Sequence, residues 1–254
     1  MNPVTKIISI ANQKGGVAKT TTAVNLSATL AATKRRVLMI DLDPQSNATV
    51  GSGIAKNNPL SVTEVILGET DAQSAIVSTA SGYDVLPANA DLTIAEVRLV
   101  QRLNREFSLK KGIQPILSQY DFILIDCPPA LNILTVNALV ASDSVLIPMP
   151  CEYFALEGLA HLLKTIEDIT TTVNPHLKIE GVLRTMYDGR NRLTHEVTAQ
   201  LANHFHEKLY TTVIPRNIRL AEAPSFGLPI IAYDPRSQGA AAYIALAGEF
   251  LRHQ

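Results

Sequence analysis

Two lysines flank a pair of glycines in Lys14-Gly15-Gly16-Val17-Ala18-Lys19-Thr20-Thr21. Residues of these types can hold a polyphosphate. Backbone N–H groups reach phosphate oxygens only where side chains are small, and a new helix adds its positive end. Gly15, Gly16, Val17 and Ala18 offer that backbone, with Thr21 continuing it into the helix. Lys19 is placed for the outer phosphates and the Thr20 hydroxyl for Mg²⁺. The loop departs from the common G-x-x-x-x-G-K-[ST] pattern: Gln13 and Ala18 stand where that pattern has its two glycines. Ala18 is expected to take the right-handed dihedrals of a helix start. Lys14 is a second cation, ahead of the glycines.

Three carboxylates carry the rest of the chemistry. Asp126 closes the apolar run Tyr120–Asp126 and precedes Cys127-Pro128-Pro129, the placement of a Walker B aspartate that holds Mg²⁺ through a water. Asp41 and Asp43 lie in Asp41-Leu42-Asp43-Pro44-Gln45. Residues two apart on a strand face one side, so both are expected at one site. Close carboxylates repel unless a cation compensates them, and Mg²⁺ would do so. Asp43 is expected to orient the attacking water and Asp41 to belong to the magnesium shell.

These groups need a frame. Ile7–Ala11 reads as a buried strand, and Ala23, Leu26, Leu30 and Ala31 mark one face of a following helix. Strands are expected at 36–43, near Val85-Leu86, at 120–126, 145–147, 179–183, Val213-Ile214 and Ile230-Ile231. Helices are expected at 63–67, 92–117, 155–171, 194–205 and 240–251, and residues 45–60 read as a loop. Strand–helix alternation predicts an α/β, doubly wound, mostly parallel sheet with helices on both faces, and the strand–glycine loop–helix motif makes it of the P-loop nucleoside triphosphatase type. The loop, Asp41/Asp43 and Asp126 all fall at strand carboxyl ends, where such sheets bind ligands. No linker divides the chain, so 1–254 is expected to be one domain.

The chain has 254 residues, 46% of them hydrophobic, and a net charge of −1. That balance excludes a globally basic nucleic-acid binder and leaves room for a local basic patch. No apolar run approaches the ~18 residues needed to span a bilayer. No basic-then-apolar leader precedes Val4. Cys127 and Cys151 form no disulfide framework, which suits a reducing compartment.

The K-G-G-x-x-K-T form, with Lys14 in front, resembles the deviant Walker A motif of the ParA/MinD group of ATPases. Longer segments resemble the ParA/Soj chromosome (or plasmid) partitioning ATPases: Ala11-Asn12-Gln13-Lys14, Asp41–Gln45, Glu152-Tyr153-Phe154-Ala155-Leu156-Glu157-Gly158, Thr185-Met186-Tyr187-Asp188 and Ile214–Ser225. The likeness runs nearly end to end and is weakest around residues 51–82. The resemblance implies ATP and Mg²⁺ as ligands and an ATP-dependent homodimer in which Lys14 reaches the partner's nucleotide. It implies Pro215 and Asn217 beside the adenine. It also implies sequence-independent binding of double-stranded DNA through Arg190 and Arg219, with Arg192, Arg216 and Arg236 as weaker candidates. A ParB/Spo0J-type centromere-binding partner and a cytoplasmic, nucleoid-associated location follow from the same resemblance.

Other readings make different demands. A MinD-like membrane-positioning ATPase needs a terminal amphipathic helix with a basic face. Here Tyr243, Leu246, Ala247, Phe250 and Leu251 form a stripe with only Arg252 and His253 near its end, a pattern that fits core packing. A bridging-cluster electron carrier needs cysteine spacings that Cys127 and Cys151 do not match. His195-Glu196 lacks the second histidine of a zinc protease. A non-hydrolysing, nucleotide-gated DNA-binding module would not need Lys19, Asp43 and Asp126 together.

Overall fold

Alternate residues of each apolar run point to opposite faces of one sheet, and both faces are covered. The computed structural model describes residues 5–254, so Val4 and the expectation of no leader ahead of it lie outside the described residues. The side chains of Tyr153, Phe154 and Glu157, part of the Glu152–Gly158 segment, also lie outside them. The strands are β1 (Lys6–Ile10), β2 (Val37–Asp41), β3 (Val77–Ser78), β4 (Asp84–Leu86), β5 (Phe122–Asp126), β6 (Ser144–Pro150), β7 (Lys178–Tyr187) and β8 (Leu209–Pro215). They lie in the order β3-β4-β2-β5-β1-β6-β7-β8. Every neighbouring pair is parallel except β3 with β4.

The helices are α1 (Lys19–Ala32), α2 (Asn47–Gly51), α3 (Val62–Ile66), α4 (Ala72–Ala75), α5 (Leu92–Val100), α6 (Ser108–Ile113), α7 (Ile133–Ala141), α8 (Tyr153–Thr172), α9 (Arg192–Phe205), α10 (Ile218–Glu222), α11 (Ile230–Tyr233) and α12 (Gln238–Arg252). Ile8, Ile10, Met39, Leu124 and Leu146 pack with α1 and α12 on one face. Ile7, Ile40, Ile123, Ile125 and Val145 pack with α7, α8 and α9 on the other. Tyr243, Leu246, Ala247 and Phe250 of α12 are buried in the first of these layers, and Leu251 packs partly against it. The apolar stripe of the last helix is therefore core. Among the described residues no helix is long and apolar enough to cross a membrane.

Several elements differ from the expectation. Residues 45–60 contain α2, which begins where Asp41 accepts a bond from the Thr49 N–H at 2.8 Å. The segment 92–117 is broken: Asn104 takes φ 54°, and 3-10 turns flank α6. Helix α7, unforeseen, is capped by the Asn132 side chain, which accepts from the Leu134 and Thr135 N–H groups. Ile230-Ile231 is helical, with the Ile230 N–H donated to the Asn25 carboxamide oxygen at 2.6 Å.

The register fixes the site. Ile10 lies beside Asp126 across β1–β5, and Asp41 beside Asp126 across β2–β5. The loop after β1 and two acidic strand ends thus meet at one level.

Candidate nucleotide and metal site

The loop between β1 and α1 holds its shape through two left-handed residues, Gly16 (φ 71°) and Ala18 (φ 67°). Gly16 suits that conformation because it has no Cβ. Ala18 corrects the expectation of right-handed dihedrals: it sits just outside α1, at the N-cap, and turns the chain into the helix. A Cβ added at Gly15 or Gly16 would meet nothing within 4 Å, so the loop opens on free space. Buried Val17 pins it from behind, its carbonyl accepting the Thr185 hydroxyl at 3.1 Å.

Lys19 is buried and donates its ammonium to the Lys14 carbonyl at 3.0 Å. Burial lowers its pKa, while Asp126, Cys127 and Asp43 act to raise it. The Thr20 hydroxyl donates to one oxygen of Asp126 at 2.7 Å. The other Asp126 oxygen is buried without a partner among the described residues. Burial, and then the neighbouring Asp41 charge, push the Asp126 carboxyl well above the usual carboxylate range. An orphaned carboxylate oxygen beside a hydroxyl, in a pocket short of positive charge, suits a hard divalent cation with oxygen ligands. Thr20 and Asp126 would hold Mg²⁺ there.

Asp41 and Asp43 divide differently from expectation. Strand β2 ends at Asp41, so the two are not strand residues sharing a face. Asp41 is fully buried and accepts from the Thr49 N–H (2.8 Å), the Thr49 hydroxyl (2.7 Å) and the Asp43 N–H (3.1 Å). Burial above all raises it to about 6. Its oxygens thus serve α2 and the turn as well as facing the site expected to hold magnesium. Asp43 instead lines the cleft with Gly15 to Thr21, Gln45, Asn47, Pro129 and Met186, a space of about 380 Å³.

A second cavity of about 230 Å³ adjoins it, sharing Ala18, Thr21 and Met186. Its walls include Ile214, Pro215, Asn217 and Leu220, so its character is more apolar. The polar cleft and the apolar cavity match the two ends of a nucleotide. The Asn217 carboxamide oxygen accepts from the Arg219 (2.9 Å) and Leu220 (3.3 Å) N–H groups, so its NH₂ end is the one to offer a ligand. Met186, at φ 48°, lines both cavities; from the sequence it was named, like Asn12 and Gln45, only within a family segment and with no site role, and Asn47 was not named. A buried polar residue one strand-end from a glycine loop, as Asn12 is, was the signal available.

Lys14 is not in the cleft lining. Its ammonium donates to Glu152 at 2.8 Å. The expected DNA contacts are also engaged: Arg190 is bidentate on Asp188 (2.9 and 2.8 Å), holding that carboxyl down to about 2. Arg219 donates to Glu222 at 2.8 Å and lies 3.5 Å from Asp234. Arg192 pairs with Glu196. Arg216 and Arg236 have no ion pair among the described residues. Cys127 and Cys151 are free and buried, the first pushed up to about 12 by burial, which leaves it an inert thiol.

A glycine loop between a parallel strand and a helix, with its threonine hydroxyl on the carboxylate of the adjacent strand, defines a P-loop nucleoside triphosphatase. A family model described as an AAA domain matches residues 5–179. The sporulation initiation inhibitor protein Soj of Bacillus subtilis is 51% identical, covering 96% of this chain and 97% of its own length. The chromosome partitioning protein ParA of Myxococcus xanthus is 49% identical over 98% of this chain and 89% of its own. A solved structure described as cobyrinic acid a,c-diamide synthase of Mycobacterium smegmatis, with bound ATP analog and magnesium, superposes with TM-score 0.87. It is 39% identical and covers 98% of this chain and 96% of that one. The chain belongs to the ParA/Soj family of chromosome-partitioning ATPases.

Proposed function

We propose that this ATPase works as a nucleotide-switched DNA tether whose 254 residues act as one domain. ATP lies with its phosphates on Gly15–Thr21 and its base against Pro215 and Asn217. Mg²⁺ is held by Thr20 and Asp126, and Asp41 acts from behind, through its charge and through α2. When bound, the metal neutralises charge between the outer phosphates. Lys19 leaves the Lys14 carbonyl for those phosphates, and Asp43 orients the attacking water. Phosphoryl transfer needs such positioning and neutralisation more than covalent help. Lys14 supplies the missing cation to the nucleotide of a second copy, which makes dimerisation the switch. The observation that carries this reading is the orphaned Asp126 oxygen beside the Thr20 hydroxyl, at the mouth of the glycine loop.

The dimer binds duplex DNA without sequence preference and is released by hydrolysis that a ParB-type partner stimulates, on the nucleoid in the cytoplasm. Support for DNA binding is the arginine set around 188–219 and the family. Arg190 and Arg219 must exchange carboxylates for phosphates. Two such exchanges per subunit neutralise about four phosphates, giving a slope of log K against log [salt] near −3.6. Filter binding of duplex DNA with ATP and with ADP, at two salt concentrations, tests this. Retention with ATP alone, falling with that slope, is expected; retention indifferent to the nucleotide would refute the switch.

A further inference from the structure

We propose that Glu152 is a latch on Lys14: it holds the extra lysine on its own subunit, and closure onto a second copy has to break that ion pair. The inference rests on the reading that Lys14 serves the partner's nucleotide.

Lys14 is tied down three times. Its ammonium donates to Glu152 at 2.8 Å. Its N–H donates to the Asn12 carboxamide oxygen at 3.0 Å, and buried Asn12 donates in turn to the Pro148 carbonyl at 2.8 Å. Its carbonyl accepts the Lys19 ammonium at 3.0 Å. The second tie ends near the carboxyl end of β6, two residues before that strand closes, and the first on the connection between β6 and α8. Glu152 is fixed there by its own N–H, which donates to the Pro150 carbonyl at 2.9 Å. It stands at the N-cap position of α8, yet its side chain caps no helix N–H. The carboxylate that could have served the helix end serves Lys14 instead. The third tie is the one nucleotide removes, because an arriving polyphosphate competes for Lys19. Nucleotide binding therefore frees the Lys14 carbonyl and leaves Glu152 as the restraint on the Lys14 ammonium, with Asn12 still holding its N–H.

The magnitude favours a bias over a block. The Lys14 and Glu152 side chains are 36% and 49% exposed, so water and salt screen the pair. Two latches open per dimer, and at the usual strength of exposed pairs their removal should tighten dimerisation roughly 2- to 30-fold.

The test is sedimentation equilibrium of the full chain with Mg²⁺ and the analogue AMPPNP. It compares the parent with Glu152→Gln, Lys14→Gln and the double variant. Glu152→Gln should dimerise more tightly by that factor, and the gain should shrink at high salt. In the Lys14→Gln background, Glu152→Gln should change nothing. A damaged fold would weaken dimers, so tightening is not a by-product of instability. If Lys14→Gln dimerises poorly while Glu152→Gln is unchanged or weaker, the latch is refuted and the cross-subunit role of Lys14 stands. Equal tightening in both backgrounds would also refute the latch, since Glu152 would then act elsewhere. If Lys14→Gln dimerises like the parent, the reading beneath the latch fails and takes the latch with it.

Discussion

Ala18 carries a conformation that its side chain resists. At φ 67° and ψ 30°, a residue with a Cβ is strained by ~1–2 kcal/mol. Replacing it with glycine removes that strain but adds backbone entropy to the unfolded chain, worth ~0.5–1 kcal/mol in the other direction. Ala18→Gly should therefore stabilise the protein by up to ~1.5 kcal/mol, read as a raised urea midpoint at unchanged slope. Ala18→Val adds a second branch in the same conformation and should lower the midpoint. A fall for both would show that the Ala18 methyl makes contacts worth more than the strain. The strain sits at the N-cap of α1, beside the glycine loop.

Short elements around the site exist because distant side chains hold them. Helix α2 has five residues, too few to persist alone. It is held by Asp41, which accepts both the N–H and the hydroxyl of Thr49, and that hydroxyl in turn accepts from the Ala88 N–H at 3.0 Å. Thr49→Val keeps the shape and removes the hydroxyl from two buried partners, so it should cost ~1–3 kcal/mol in urea unfolding. An unchanged midpoint would mean that water replaces the hydroxyl. The same dependence explains what could be read from sequence. The central strands and α1 were legible because their apolar runs are long and their loop motif is local. The meeting of the glycine loop and Asp126 was legible because each lies at the carboxyl end of an apolar run; the hydrogen bond from Thr20 to Asp126 was not. Helix α7 was not, since Ile133–Ala141 is buried nearly all round and shows no helical period. Helix α11 was misread as a strand because Ile230-Ile231 is β-branched, while its N–H partner, Asn25, is 205 residues away. The Lys14–Glu152 pair spans 138 residues and has no local signature.

At the scale of the molecule, burying Asp41 and Asp126 side by side stores a pH-dependent cost that a cation relieves. Asp41 is raised to about 6 and Asp126 is raised as well, chiefly by burial. A carboxyl raised in the folded state binds its proton more tightly there than in the unfolded chain. For Asp41 the favourable contribution is then complete below the unfolded value, near pH 4, and is lost as pH rises through about 6; for Asp126 it is likewise lost only above the ordinary carboxylate range. Without metal, these two groups make the protein less stable at neutral pH than in mild acid. Mg²⁺ held by Thr20 and Asp126 would require the charged carboxylate, so its binding would displace the proton and its benefit would grow as pH rises. The melting-temperature gain from Mg²⁺ over EDTA, both with ADP, should therefore be larger at about pH 7.5 than at about pH 5. Asp126→Asn should flatten that difference, because an amide has no proton to exchange for the ion. A gain equal at both pH values in the parent protein would place the metal away from Asp126, and the nucleotide site would need a different cation ligand.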